Sequence, residues 1–123
     1  MCGVIGVLSA EGGDVFTNVI EGLFQMQHRG QDACGMAISD GTVIRLRKEL
    51  GYVRQVFPGP PTNEFQGNVA VGHVRYPTAG SNRVNNAQPH LLTDLTGSRW
   101  ALSSNGDITN YREVREELEQ ACV

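Results

Sequence analysis

The stretch Met1-Cys2-Gly3-Val4-Ile5-Gly6-Val7-Leu8 decides how the rest of the chain is read. A cysteine directly behind the initiator methionine becomes the first residue once that methionine is removed. Its thiol and a free α-amino group then belong to one residue. The thiolate is the nucleophilic form, and a free thiol ionises near about 8.5. An α-amine titrates at roughly 7.7–8.0, so near neutral pH it can take or give a proton. Nucleophile and base arrive together. Direct transfer within one residue needs a strained small ring, so a bridging water is expected. While Met1 remains, the Cys2 nitrogen is an amide and cannot act as a base. The apolar run Cys2 to Leu8 reads as a buried strand that would hold the thiol still. The plain alternative is that Cys2 is one more small buried hydrophobe.

Composition narrows the field. A chain of 123 residues suits one domain or part of one. The formal charge of −3, with no basic run, argues against nucleic acid as a partner. The apolar runs are too short to span a bilayer. There is no basic leader and Glu11 ends the apolar start early, so no signal peptide is expected. Cys2, Cys34 and Cys122 are odd in number and widely scattered, which argues against a disulfide framework and for a reducing cytoplasm. No metal is expected: there is no C-x-x-C, and His28, His73 and His90 lie far apart.

Working outward, Gly12-Gly13 marks a turn and Asp14 is a plausible N-cap. Val15, Phe16, Val19, Ile20, Leu23, Phe24 and Gln27 follow helical spacing, and Gly30 fits a helix stop. Asp40-Gly41 between Ala33–Ser39 and Thr42–Lys48 signals a hairpin. Residues 49–57 are ambiguous, with a short helix as one reading. Phe57-Pro58-Gly59-Pro60-Pro61 must be loop. Asn68 to Val74 reads as a buried strand that delivers His73-Val74-Arg75-Tyr76-Pro77-Thr78 at its end. Ala79 to Pro89 is a polar loop long enough to suggest binding. Leu91-Leu92 and Trp100-Ala101-Leu102 form two strands around Thr96-Gly97-Ser98. A last helix starts behind Asn110, supported by Glu113, with Tyr111, Val114, Leu118 and Ala121 or Cys122 on one face.

Four separated stretches carry the chemistry. They are Met1-Cys2-Gly3-Val4-Ile5-Gly6, His28-Arg29-Gly30-Gln31-Asp32, Gly72 to Gly80 with Asn86-Ala87-Gln88-Pro89, and Asn105-Gly106-Asp107-Ile108-Thr109-Asn110. In this order and spacing they resemble the class II glutamine amidotransferases. The Arg-Gly-Gln-Asp and Asn-Ala-Gln-Pro stretches look most like the phosphoribosylpyrophosphate amidotransferase branch. The resemblance implies an α+β fold, the N-terminal nucleophile hydrolase αββα four-layer sandwich, with only its N-terminal part present. Residues 1–123 would be a partial glutaminase domain. Cys2 would attack the side-chain amide of L-glutamine. The Asn105 side chain and the Gly106 backbone N–H would form the oxyanion hole. Donors fixed where an acyl-transfer oxyanion develops are each worth about 2.7–4 kcal/mol. Alone, Asn-Gly reads more readily as a plain turn. Arg75 would grip the α-carboxylate, a two-point task that lysine does not match. Its plain alternative is an exposed strand-end arginine. Tyr76 and Thr78 would line the same pocket, and Arg29 would lie close to the nucleophile. His73 is read as structural, because the α-amine already supplies the base.

The resemblance also sets expectations about what accompanies the chain. Ammonia would pass to an acceptor domain, no cofactor would serve the glutaminase step, and any Mg²⁺ would belong to the phosphoribosyl-transfer domain. The family's downstream aspartate, which grips the α-amino group, has no counterpart before Val123. Unpaired strand edges and an uncovered apolar face should result, to be covered by a partner chain, a further domain or a second copy. Alternatives are a catalytically deficient fragment or interaction module, a stand-alone glutaminase subunit, and an asparagine synthetase-type amidotransferase, to which Asn105 to Ile108 and Tyr111 to Arg115 have some likeness.

Overall fold

The computed structural model describes residues 1–77 and 83–121. The expectations for Thr78, for Cys122 and for residues 79–82 of the long loop lie outside the described residues. Six strands and three helices follow one another as β1 (Gly3–Leu8), α1 (Phe16–Gln25), β2 (Ala33–Ser39), β3 (Ile44–Leu50), α2 (Val53–Val56), β4 (Val69–Arg75), β5 (His90–Thr93), β6 (Arg99–Leu102) and α3 (Tyr111–Ala121). Two 3-10 turns, Gln27–Arg29 and Val84–Asn86, lie between them. β1, β4, β2 and β3 form an antiparallel sheet in that order, and β5 pairs with β6.

Alternation divides this sheet into two faces. Val19 and Leu23, four apart on α1, point at one of them and are fully buried with Cys34, Met36 and Val74. Burying each such side chain is worth roughly 1.5–3 kcal/mol. Gly72 lets the helix sit close, since a Cβ there would lie 2.8 Å from Val19. Val53 and Val56 of α2, with Phe16 and Phe57, close the same cluster.

The opposite face is only partly covered. A Cβ on Gly35 would collide with the Gln88 carbonyl, so residues 87–89 lie flat over the β2 side. The β1 side is open: Val4 is 39%, Leu8 70% and Val69 38% exposed. α3 buries none of its residues, and its apolar Leu118 and Tyr111 face outward. The expected uncovered apolar face is therefore present. Among the described residues no helix is long and apolar enough to cross a membrane.

Local chemistry explains where elements stop. The Asp40 carboxylate accepts from the N–H groups of Thr42 (2.9 Å) and Val43 (3.0 Å) and from the Thr42 hydroxyl (2.6 Å). These donors, with Arg45, hold its carboxyl well below the usual range. The turn thus consumes Thr42 and Val43, and β3 begins later than expected. Asp94 builds the same kind of turn between β5 and β6, accepting from the Thr96 and Ser98 N–H groups.

Two expectations need correction. Asp14 does not cap α1: Val15 holds the cap position without a side-chain bond, and Asp14 accepts the Gly67 N–H at 2.9 Å. Gly30 ends the 3-10 turn Gln27–Arg29 rather than α1 itself, which stops at Gln25. Gly30 is extended, at φ −161°, and is needed because a Cβ there would lie 2.6 Å from Arg75 backbone. In residues 49–57 the short helix is present as Val53–Val56, and Glu49 and Leu50 complete β3.

Candidate active site

β1 and β4 pair from Leu8↔Val69 to Gly3↔Val74, so Cys2 leaves the sheet where Arg75 and Tyr76 leave it. The Tyr76 N–H lies 3.5 Å from Cys2 Sγ, and the thiol lies 3.8 Å from the Tyr76 carbonyl oxygen. Arg29, on the 3-10 turn behind α1, donates through Nε to the Cys2 carbonyl at 3.0 Å. That turn is held by Gln27, whose amide donates to the Gly30 carbonyl at 2.6 Å and accepts from the Val53 N–H at 2.9 Å. Cys2 is half-buried, while Met1 is 73% exposed.

Arg75 is buried, at 6% exposure, and is not the surface arginine of the plain alternative. Arg75 closes β4 and Arg29 lies on the turn packed beside it, so both cationic residues belong to this end of the sheet. The Tyr76 ring is half exposed, and its backbone rather than its ring meets the sulfur.

His73 is fully buried on β4. Its Nε2 lies 3.1 Å from the Ser104 carbonyl oxygen, which can only accept, so Nε2 carries the proton. Burial lowers its pKa to about 4, against the Ser104 bond and with help from His90 and Arg75. The ring is therefore neutral near pH 7 and a weak base.

Ser104 is held a second time, its N–H donating to Gln88 Oε1 at 2.7 Å. Asn105 and Gly106 follow directly and are exposed. Among the described residues the Asn105 side chain has no hydrogen bond, and a Cβ on Gly106 would meet nothing within 4 Å. Cys2, Arg29, Arg75 and Tyr76 are thus gathered, whereas no described bond joins Asn105 or Gly106 to Cys2. Gln27, Gln88 and Ser104 were not singled out as site-shaping residues. The one cue, Asn86-Ala87-Gln88-Pro89, marks the loop but not what its glutamine holds.

The larger cleft, about 520 Å³, lies at the far end of the sheet among Asp14, Asp40, Arg45 and Gly67. A smaller one, about 320 Å³, is lined by Phe16, Phe57, Phe65 and prolines. Neither contains a residue proposed for chemistry.

No family model matches the chain. It is 41% identical over 119 residues to the amidophosphoribosyltransferase of Methanocaldococcus jannaschii, covering 97% of this chain and 25% of that protein. It is 44% identical over 117 residues to that of Synechococcus elongatus, covering 95% of this chain and 23% of that protein. Among solved structures, glutamine phosphoribosylpyrophosphate amidotransferase from B. subtilis, complexed with ADP and GMP, superposes with a TM-score of 0.82 at 28% identity, over 98% of this chain and 25% of that one. A structure described as the allosteric regulatory enzyme of purine biosynthesis gives 0.83 at 31% identity, with the same coverage. The chain spans about a quarter of the length of the relatives it matches. Its fold is part of the N-terminal nucleophile hydrolase fold of these enzymes.

Proposed function

We propose, on the premise that this chain belongs to the class II glutamine amidotransferases and aligns with about a quarter of an amidophosphoribosyltransferase, that it hydrolyses the side-chain amide of L-glutamine. Residues 1–123 then form part of a glutaminase domain, and the ammonia serves an acceptor domain in purine nucleotide biosynthesis. The observation that carries the reading is the Cys2 thiol, 3.5 Å from the Tyr76 N–H at a strand end that also carries the buried Arg75.

The steps follow from residue chemistry. With Met1 removed, the Cys2 α-amine accepts the thiol proton through a water. The thiolate attacks the amide carbon, and the carbonyl oxygen becomes an anion held by the Asn105 amide and the Gly106 N–H. The protonated amine gives its proton to the departing nitrogen, and ammonia leaves a glutamyl thioester. Water attacks the thioester, losing a proton to the amine. Glutamate leaves and the thiol is restored. Arg75 binds the α-carboxylate throughout. Tyr76, Thr78 and Arg29 complete the substrate end.

This half-reaction draws on no metal, and any Mg²⁺ belongs to phosphoribosyl transfer. The cytoplasm suits a free nucleophilic thiol. The open β1 side of the sheet fits a further domain, a partner chain or a second copy.

A second reading is a catalytically deficient fragment. It is favoured by the exposure of Asn105 and Gly106, with no described bond to Cys2. Glutamate release, measured beside a Cys2→Ala variant, separates the two. Equal rates remove the enzyme reading. Intact mass tests the amine step, because full activity with Met1 retained removes the α-amine as base.

A further inference from the structure

A row of residues crosses all four strands on the partly covered face. Val4 pairs with His73, His73 with Gly35, and Gly35 with Lys48. Cross-strand partners share a face, so His73 and Lys48 flank the gap that Gly35 leaves. Residues 87–89 fill that gap. Lys48 Nζ donates to the Ala87 carbonyl at 2.7 Å, and the Gln88 carbonyl sits over Gly35. This fixes the backbone of Gln88, and its side chain then accepts the Ser104 N–H at 2.7 Å. His73, on the other flank, donates to the carbonyl of the same serine at 3.1 Å. Both backbone groups of Ser104 are therefore bonded to side chains anchored on the sheet. The neighbouring Ser103 hydroxyl is buried without a partner among the described residues, so it does not share the load.

We infer that His73 and Gln88 are positioning residues: together they clamp Ser104, and so aim Asn105 and Gly106 toward the Cys2 end of β1. This rests on the glutaminase reading, in which those two residues hold the oxyanion. The segment after β6 has otherwise little to hold it, since residues 104–113 are all exposed. Without the clamp, two donors would have to be ordered at the moment of reaction, which forfeits the advantage of fixed dipoles. No described bond joins His73 or Gln88 to Cys2.

The test uses His73→Leu, which removes the donor, His73→Gln, which restores a side-chain N–H, Gln88→Leu, and Ser103→Ala as a control. Each is made in the whole chain. Cys2 labelling by a chloroketone analogue of glutamine is read by peptide mass, beside labelling by iodoacetamide, which requires no glutamine pocket. His73→Leu and Gln88→Leu should slow the analogue about tenfold, on the scale of one hydrogen bond, with iodoacetamide labelling unchanged. His73→Gln should recover most of the loss, and Ser103→Ala should show none. An equal loss with both reagents, or no loss with either, overturns the proposal. Hydrogen exchange at the Ser104 amide, whose N–H the clamp holds, is measured on the same proteins. It should rise about tenfold in His73→Leu while β4 stays protected, and unchanged exchange also overturns the proposal. If the parent chain shows no preference for the analogue at Cys2, the glutaminase reading fails and the catalytic role of the clamp falls with it. The exchange data then still report whether the clamp exists.

Discussion

Arg29 reaches 27 residues back along the chain to hold the Cys2 carbonyl, its Nε 3.0 Å from that oxygen. The contact ties the turn behind α1 to the first strand and fixes the backbone that carries the thiol. Charge-assisted bonds of this kind contribute more than neutral ones, but this one is only half-buried. Arg29→Met should therefore cost about 1 kcal/mol in urea unfolding. Arg29→Lys should not restore it, because an ammonium lacks the planar Nε–H that meets this oxygen. Equal stability of the lysine variant and the parent would contradict this.

The described cysteines should behave differently toward alkylation. Cys34 is fully buried on β2, and burial pushes its thiol up to about 12. In a Cys122→Ser background at pH 8, iodoacetamide should modify Cys2 and leave Cys34 intact until urea unfolds the chain. Peptide mass mapping reads this directly.

Two glycines should respond in opposite ways to alanine. At Gly30 the new methyl would lie 2.6 Å from the backbone of Val74 and Arg75, which cannot move without breaking the sheet. Gly30→Ala should destabilise the fold by about 2–3 kcal/mol in urea titration. At Gly106 a methyl meets nothing within 4 Å. Gly106→Ala should unfold at nearly the parental urea concentration, and any fall in Cys2 labelling by a glutamine analogue then reports on the site rather than on folding.

Acid should weaken the fold before carboxylates titrate. His73 ionises near 6.5 when unfolded but at about 4 in the fold, because burial penalises its charged form. His90 moves in the same direction, through burial and then the charge of Lys48. The unfolded chain thus binds more protons between those values. Stability is full above about pH 6.5 and falls toward pH 4 by a loss on the order of 2 kcal/mol for His73. Urea midpoints between pH 7 and pH 4.5 measure this slope. His73→Leu should flatten it whatever its effect on absolute stability.

How much was legible in the sequence can be read residue by residue. The β2–β3 hairpin was written in Asp40-Gly41, whose turn chemistry is local. The α1 stripe was visible because Val19 and Leu23 repeat at helical spacing. The roles of Asp14 and of the Gly30 backbone are not legible because their partners, Gly67 and Arg75, are remote in sequence. The motif stretches brought out Cys2, Arg29, Arg75 and Tyr76, which the fold collects at one end of the sheet. The roles of Gln27, Gln88 and Ser104 were hidden, since each depends on a backbone group delivered by another element.

β1 sits at the margin of the sheet, stitched to β4 along one flank and, among the described residues, to no strand on the other. Ile5 and Val7 tuck beneath the packed helix layer, whereas Val4 and Leu8 do not. The sulfur therefore rides on a ribbon that can begin to unzip from its outer side before the interior melts. Breathing at this border would disturb its aim without registering in the global unfolding free energy.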